Sequence, residues 1–150
     1  MRCIIQRVSQ SSVSVNSKVI GSIQKGFTIL VGFEEEETEE EMNWLIQKII
    51  KLRVFSDENG LMNHSLLDAK GDVLLVSQFT LHAQTKKGNR PSFIKAAKPK
   101  LANKYYDKFV LLFQKNFSGK VECGQFGADM KVEIINDGPV TISIDTKNKE

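Results

Sequence analysis

Ser77, Gln78, Phe79 and Thr80 place two hydroxyls, a carboxamide and an aromatic ring within four residues, directly after the apolar run VLLV. Read as one strand, Val73, Leu75, Ser77, Phe79 and Leu81 share a face, and Leu74, Val76, Gln78, Thr80 and His82 share the other. Both faces begin apolar and turn polar together. A strand buried on both sides whose C-terminal end emerges at a sheet edge has this pattern, and a ligand can reach it there. Ser and Thr are also ordinary strand residues, so spacing leaves a site and a plain strand both open. Side chains of this kind orient a ligand by hydrogen bonds, whereas an unassisted hydroxyl is a poor nucleophile. His64 and His82 are the only imidazoles, and a Ser-His-acid triad would require folding alone to assemble it. Both read as surface or structural histidines. No GxSxG elbow, P-loop or HExxH motif occurs.

Two further stretches bear on chemistry. The loop QTKKGNRPSF sets Lys86, Lys87 and Arg90 around Gly88 and Pro91, either as a charge-assisted grip on phosphates or as solvated loop cations. The segment IINDGPVTISI, residues 134–144, reads as a strand, a turn and a strand. It carries Gly138-Pro139 where an Asn-Gly or Asp-Gly pair would close a hairpin without surrendering a backbone N–H. Cys3 and Cys123 lack the spacing of a metal site or a disulfide framework and read as buried thiols, so neither metal nor cofactor is expected.

The elements that must hold these residues follow from periodicity. Short runs rich in Val and Ile fill the first third, with Asn16-Ser17 and Gln24-Lys25-Gly26 as turns, which predicts an antiparallel meander. In EEEETEEEMNWLIQKIIKL the apolar Met42, Leu45, Ile46 and Ile49 fall at helical spacing, and Thr38 with Glu41 has the form of a capping box. The glutamate run suits the start of that helix and Lys48 and Lys51 its end, although an acidic metal-binding or partner-binding patch is the alternative. A second helix is predicted from near Pro99 to Ser118-Gly119, with Leu101, Tyr105, Phe109, Leu112 and Phe113 on its core face. Helices are thus set among mostly β segments.

With 150 residues, 41% hydrophobic and 26% charged, the chain reads as one domain, 1–150, with 146–150 as a polar tail. A net charge of +3 permits contact with phosphate but falls short of a dedicated nucleic-acid stripe. The N-terminus meets charge too early for a signal peptide, and no apolar run approaches membrane-spanning length, so a cytoplasmic location is expected.

SQFTL, residues 77–81, and NDGPVT, residues 136–141, together resemble the paired signature motifs of the D-aminoacyl-tRNA deacylases, the D-tyrosyl-tRNA(Tyr) deacylase family of chiral proofreading enzymes. The similarity extends through MRCIIQRV, FSDENGLMN, KKGNRPSF and FGADMKV in the same order. His82 stands where that family often has an aromatic residue and Ser12 where a small apolar one is usual, which touches local packing only.

The resemblance implies an α/β fold of mixed, layered, barrel-like β-sheets with helices packed on one side. It implies a homodimer with active sites at the subunit interface, tRNA as the partner, and hydrolysis of the carboxylic ester that joins a D-amino acid to tRNA. Gly138-Pro139 is then a cis pair reaching into the neighbouring subunit's site, with Arg7 orienting it. Ser77, Gln78, Phe79 and Thr80 form the catalytic segment, either with Thr80 as nucleophile or, the favoured reading, with the RNA 2′-hydroxyl activating water. Met130 lines the pocket or simply fills an apolar gap. Lys86, Lys87 and Arg90 are first candidates for tRNA phosphate contacts. A non-catalytic RNA-binding module and a purely structural dimer module are the rival classes.

Overall fold

β1 (Arg2–Val15) is the strand on which the sheet is built in this computed structural model, which describes residues 1–149. Fourteen residues give it length for two partners in tandem along one edge. β2 (Lys18–Ile23) pairs with its second half and β3 (Gly26–Gly32) with its first, both antiparallel. The first third is therefore not a meander: β2 and β3 do not pair with each other, because β1 lies beside both. Asn16 and Ser17 take φ of 50° and 62° between the paired Val15 and Lys18, the two-residue mirror-image turn that matches strand twist.

The chain then crosses over through α1 (Glu39–Lys51) and a small hairpin, β4 (Phe55–Ser56) with β5 (Met62–His64), to β6 (Asp72–Ser77), which lies parallel to β3. α2 (Pro99–Asn116) makes the next crossover to β7 (Val121–Cys123), parallel to β6. β8 (Met130–Asp145) returns along the free edge of β1. The result is a mixed, barrel-like sheet with both helices on one side.

Both predicted helices form, for local reasons. The Thr38 hydroxyl accepts from Glu41 N–H at 3.2 Å while the Glu41 carboxylate accepts from Thr38 N–H at 2.9 Å, so two otherwise orphaned donors are satisfied reciprocally. Of the glutamate run, Glu39, Glu40 and Glu41 lie in the first turn of α1 and Lys48 and Lys51 in its last, in keeping with the helix dipole. α2 begins on Pro99 and ends at Asn116, just before the predicted stop. Its deepest residues are Ala102, Tyr106, Phe109 and Phe113, so the core face is rotated from the predicted one: Tyr106, not Tyr105, is the fully buried tyrosine.

β6 separates two apolar layers. Val73 and Leu75 face the helices with Ile5, Phe27, Ile29, Ile46, Ile49, Phe109 and Phe113. Leu74 and Val76 face the inside of the curled sheet with Val8, Val13 and Ile23. Each fully buried Phe or Ile contributes about 1.5–3 kcal/mol.

The polar residues after β8 are anchored to the domain. Thr146 is buried and its backbone N–H donates to Met1 O at 3.0 Å; Lys147 pairs with Glu34 at 3.0 Å and the Lys149 ammonium sits 4.2 Å from the Trp44 ring centroid. Glu150 lies outside the described residues. No helix among those residues is long and apolar enough to cross a membrane.

Candidate active site

β6 stops at Ser77 because its partner stops: the ladder with β3 ends at Val31↔Ser77, and Gln78 N–H donates the last rung to Val31 O at 2.7 Å. Beyond it the chain curls into a 3₁₀ turn, Phe79–His82, so the predicted alternation does not continue past Ser77. Phe79 consequently swings outward, half exposed, while His82 turns inward and is buried. The turn's own hydrogen bonds begin at Leu81 N–H, so those of Phe79 and Thr80 are not consumed by it.

Ser77, Gln78 and Phe79 line a pocket of about 940 Å³ together with Val76, Phe126 and Met130. Phe93 stacks edge-on to Phe79 at 5.0 Å between centroids, and Ile94, Lys98 and Pro99 close the side toward α2. Glu35 and Lys98 are its charged members. Outside the pocket lining, Tyr106 ties α2 to β6: its hydroxyl donates to Leu75 O at 2.9 Å and lies 3.3 Å from Gly124 O. Gly124 leaves room for Met130: a Cβ there would lie 2.6 Å from Met130 Sδ and would push that flexible side chain aside.

An activated nucleophile is not what these residues build. The Thr80 hydroxyl accepts from Gln78 Nε2 at 2.6 Å, an amide donor and not a base. Burial, and then the Glu122 carboxylate, pushes the Cys123 thiol up to about 11, and burial drives the Tyr106 hydroxyl far above its ordinary range, so both stay protonated at neutral pH. His82 lies behind the turn, almost fully buried, and is not among the residues lining the pocket. What the pocket offers is an apolar wall for a flat ring, the Gln78 amide and Ser77 hydroxyl for polar edges and the charges of Glu35 and Lys98, beside a turn whose Phe79 and Thr80 N–H groups it does not itself use.

Gly138 and Pro139 lie elsewhere. The segment predicted as a hairpin does not turn back: β8 pairs with β1 on both sides of it, Val8 with Asn136 and Gln6 with Thr141, so residues 137–140 project as a bulge opposite the single residue Arg7. The peptide bond between Gly138 and Pro139 is cis, and Gly138 has φ +126°. Asn136 closes the neck of the bulge, its Oδ1 accepting from Val140 N–H at 3.2 Å. Arg7, buried, donates from Nε to Asp137 O at 3.0 Å, and Nη1 donates to Val54 O.

Lys86, Lys87 and Arg90 occupy a third place, a fully exposed loop closed by the Gln84–Ser92 bridge. The structure thus gathers Ser77, Gln78, Phe79 and Met130 in one pocket with Thr80 at its margin, and sets Gly138, Pro139 and Arg7 apart from it.

A family model described as D-Tyr-tRNA(Tyr) deacylase matches residues 4–145. The chain belongs to this deacylase family. D-aminoacyl-tRNA deacylases of Flavobacterium johnsoniae and Bacteroides fragilis are 58% and 56% identical over 150 residues, covering all of each chain. Among solved structures, one titled c-Myc DNA Unwinding Element Binding Protein is 39% identical, with a TM-score of 0.92 over 97% of this chain and 98% of that one. A probable eukaryotic D-amino acid tRNA deacylase at 18% identity shares the fold, with a TM-score of 0.81 over 95% and 97% of the two chains.

Sequence reasoning gave no role to Phe93, Ile94, Phe126 or Glu35. Phe93 and Ile94 directly follow the basic loop, and two large apolar residues in an otherwise polar stretch were the available signal. For Glu35, inside a glutamate run, there was none.

Proposed function

We propose that the chain is a D-aminoacyl-tRNA deacylase that hydrolyses the ester between a D-amino acid and the terminal ribose of tRNA. The observation that carries this reading is the pocket at the end of β6, lined by Ser77, Gln78 and Phe79, with the backbone donors of Phe79 and Thr80 outside the turn's own hydrogen bonds and the Thr80 hydroxyl bonded to an amide and not to a base, in a chain of this family. The terminal adenosine stacks on the apolar wall, and the N–H groups of Phe79 and Thr80 face the developing oxyanion. The 2′-hydroxyl of the RNA, next to the ester by its own chemistry, activates the attacking water, in keeping with a Thr80 hydroxyl that has no base bonded to it.

Chirality is read by main chain in this proposal. Along β8, Met130 and the bulge are six ladder positions apart, on the order of 20 Å at strand rise, so a chain's own Gly138-Pro139 is remote from its own pocket. A second copy delivers it, which is the reason for a homodimer. The pair receives the substrate ammonium, a D-side chain projects outward, and an L-Cβ collides with it. Glycine has no Cβ to collide, so glycyl-tRNA, including that mischarged on the alanine tRNA, is a substrate too.

The test is paired. Purified protein is incubated with D-tyrosyl-tRNA and L-tyrosyl-tRNA, and with D-tyrosyl-tRNA whose terminal ribose lacks the 2′-hydroxyl. Release from the first alone is expected, with Thr80→Ala retaining substantial rate. An inactive Thr80→Ala that still binds tRNA would restore covalent catalysis, and protection without release would make the chain a binder.

A further inference from the structure

His82 is 1% exposed, and neither ring nitrogen has a hydrogen-bond partner among the described residues. A buried imidazole left unpaired is costly, and a phenyl ring of similar shape would fill the space without that cost. In this chain the imidazole stands where the family often has an aromatic residue, so its unpaired polar atoms bear on more than the local packing expected from the sequence. Nδ1 lies 3.4 Å from Glu34 Oε1, in contact but without hydrogen-bond geometry. Glu34 is in turn held by Lys147 Nζ at 3.0 Å on its other oxygen.

The chain of contacts continues. Lys147 N–H donates to Asp145 Oδ1 at 2.9 Å, Arg2 Nε donates to Asp145 Oδ2 at 2.8 Å, and Arg2 Nη1 donates to Leu81 O at 3.2 Å. The path leaves the 3₁₀ turn at His82 and returns to it at Leu81, forming a closed brace behind the wall of the pocket. Gly32 makes room for it: a Cβ there would lie 2.6 Å from Gln78 O and 3.1 Å from His82 Cδ2. Glu34 adjoins Glu35 on the pocket rim, so the brace spans both the turn and the loop facing it.

We propose that His82 is a positioning residue for the deacylation site: its buried imidazole, set against Glu34, fixes the height of the turn whose Phe79 and Thr80 backbone donors face the reacting ester. Arg2, Asp145 and Lys147 complete the brace. None of these side chains touches substrate. Their effect passes through the turn's main chain, and because backbone donors act on charge that develops in the transition state, a small displacement lowers kcat before it raises KM.

The inference rests on the proposed deacylase reading, and the experiment separates the two. Backbone amide resonances of Phe79, Thr80 and Leu81 are compared in the wild type, His82→Phe, His82→Gln and Glu34→Gln, alongside kinetics on D-tyrosyl-tRNA. In His82→Phe, thermal stability is expected to be retained, those amides to shift, and kcat to fall about tenfold, with KM changing less than about twofold. His82→Gln, which keeps a polar atom, restores most of the rate. Wild-type kcat and unmoved amides in His82→Phe overturn the proposal. If that variant fails to fold, the same result in Glu34→Gln overturns it. Should the wild type cleave no D-aminoacyl-tRNA, the functional reading falls while the amide shifts still decide the brace.

Discussion

Arg7 Nε donates to Asp137 O at 3.0 Å and lies 3.3 Å from the Asp137 carboxylate, so one guanidinium on β1 grips the root of the bulge by main chain and side chain together. Lysine, a point charge without the planar fork, cannot serve both and Val54 O as well. Arg7→Lys is expected to fold, with a loss of about 1 kcal/mol, and to blur selection: the ratio of D- to L-tyrosyl-tRNA cleavage falls about tenfold. Parallel rate measurements on the two esters check it.

Gly138 occupies φ +126°, and a Cβ there would stand 2.8 Å from Val140 Cγ2 and 2.9 Å from Arg7 Nη2. Gly138→Ala must therefore displace the tip. Residues 137–139 are exposed, so the cost is the backbone strain at that φ, and the melting temperature should fall by only a few degrees, while cleavage of D-tyrosyl-tRNA falls on the order of 10²-fold from misplacement. A calorimetric scan beside a deacylation assay separates the two effects.

Stability should form a plateau with two limbs in pH. Burial raises the Glu34 carboxyl, but the hydrogen bond from Lys147 and the charges of Lys147 and His82 outweigh it and hold it below its ordinary 4.5. For Asp145, burial is likewise outweighed by the hydrogen bonds from Arg2 and the Lys147 backbone, holding it below 3.8. A carboxyl depressed in the folded state stabilises above its unfolded value, and that contribution is lost as pH falls through the folded one. For Lys147, burial is outweighed by Glu34 and Glu37, raising it above 10.5, so its contribution is lost as pH rises through that higher value. Urea midpoints across pH should show both limbs, and Glu34→Gln should flatten each.

Replacing Lys86, Lys87 and Arg90 with alanine removes three exposed cations from one loop. If these contact phosphates, KM for aminoacyl-tRNA rises and its dependence on log salt loses a slope of about 0.7–0.9 per contact. Measuring KM at four salt concentrations decides it, and an unchanged slope removes the loop from tRNA binding.

What could be read in advance was short-ranged. Thr38 and Glu41 sit three residues apart, so their capping box is visible in the sequence, and so is the turn at Asn16-Ser17. What could not be read depends on distant partners. Asn-Asp-Gly-Pro has every mark of a turn, yet β8 runs on because β1, some 130 residues away, offers a ladder on both sides. The alternation through His82 suggested a longer strand, but β3 ends at Gly32, and a strand cannot outlast its partner. Tyr105 and Tyr106 are adjacent aromatics, and a small change of helical phase chooses between them. The ring from Arg2 to His82 joins both ends of the chain and leaves no local mark.

Along most of β8 the residue count is rigid, since one inserted or deleted position would turn every later side chain over to the opposite surface. Residues 137–140 escape that rule, being outside the ladder while the rungs at Asn136 and Thr141 stay anchored. Lengthening or shortening the chain there alters how far the protrusion extends and leaves the register of the strand on either side unchanged. Reach can thus be adjusted independently of strand register, and on the proposed function this short excursion is the place to retune selectivity by indel, not by substitution.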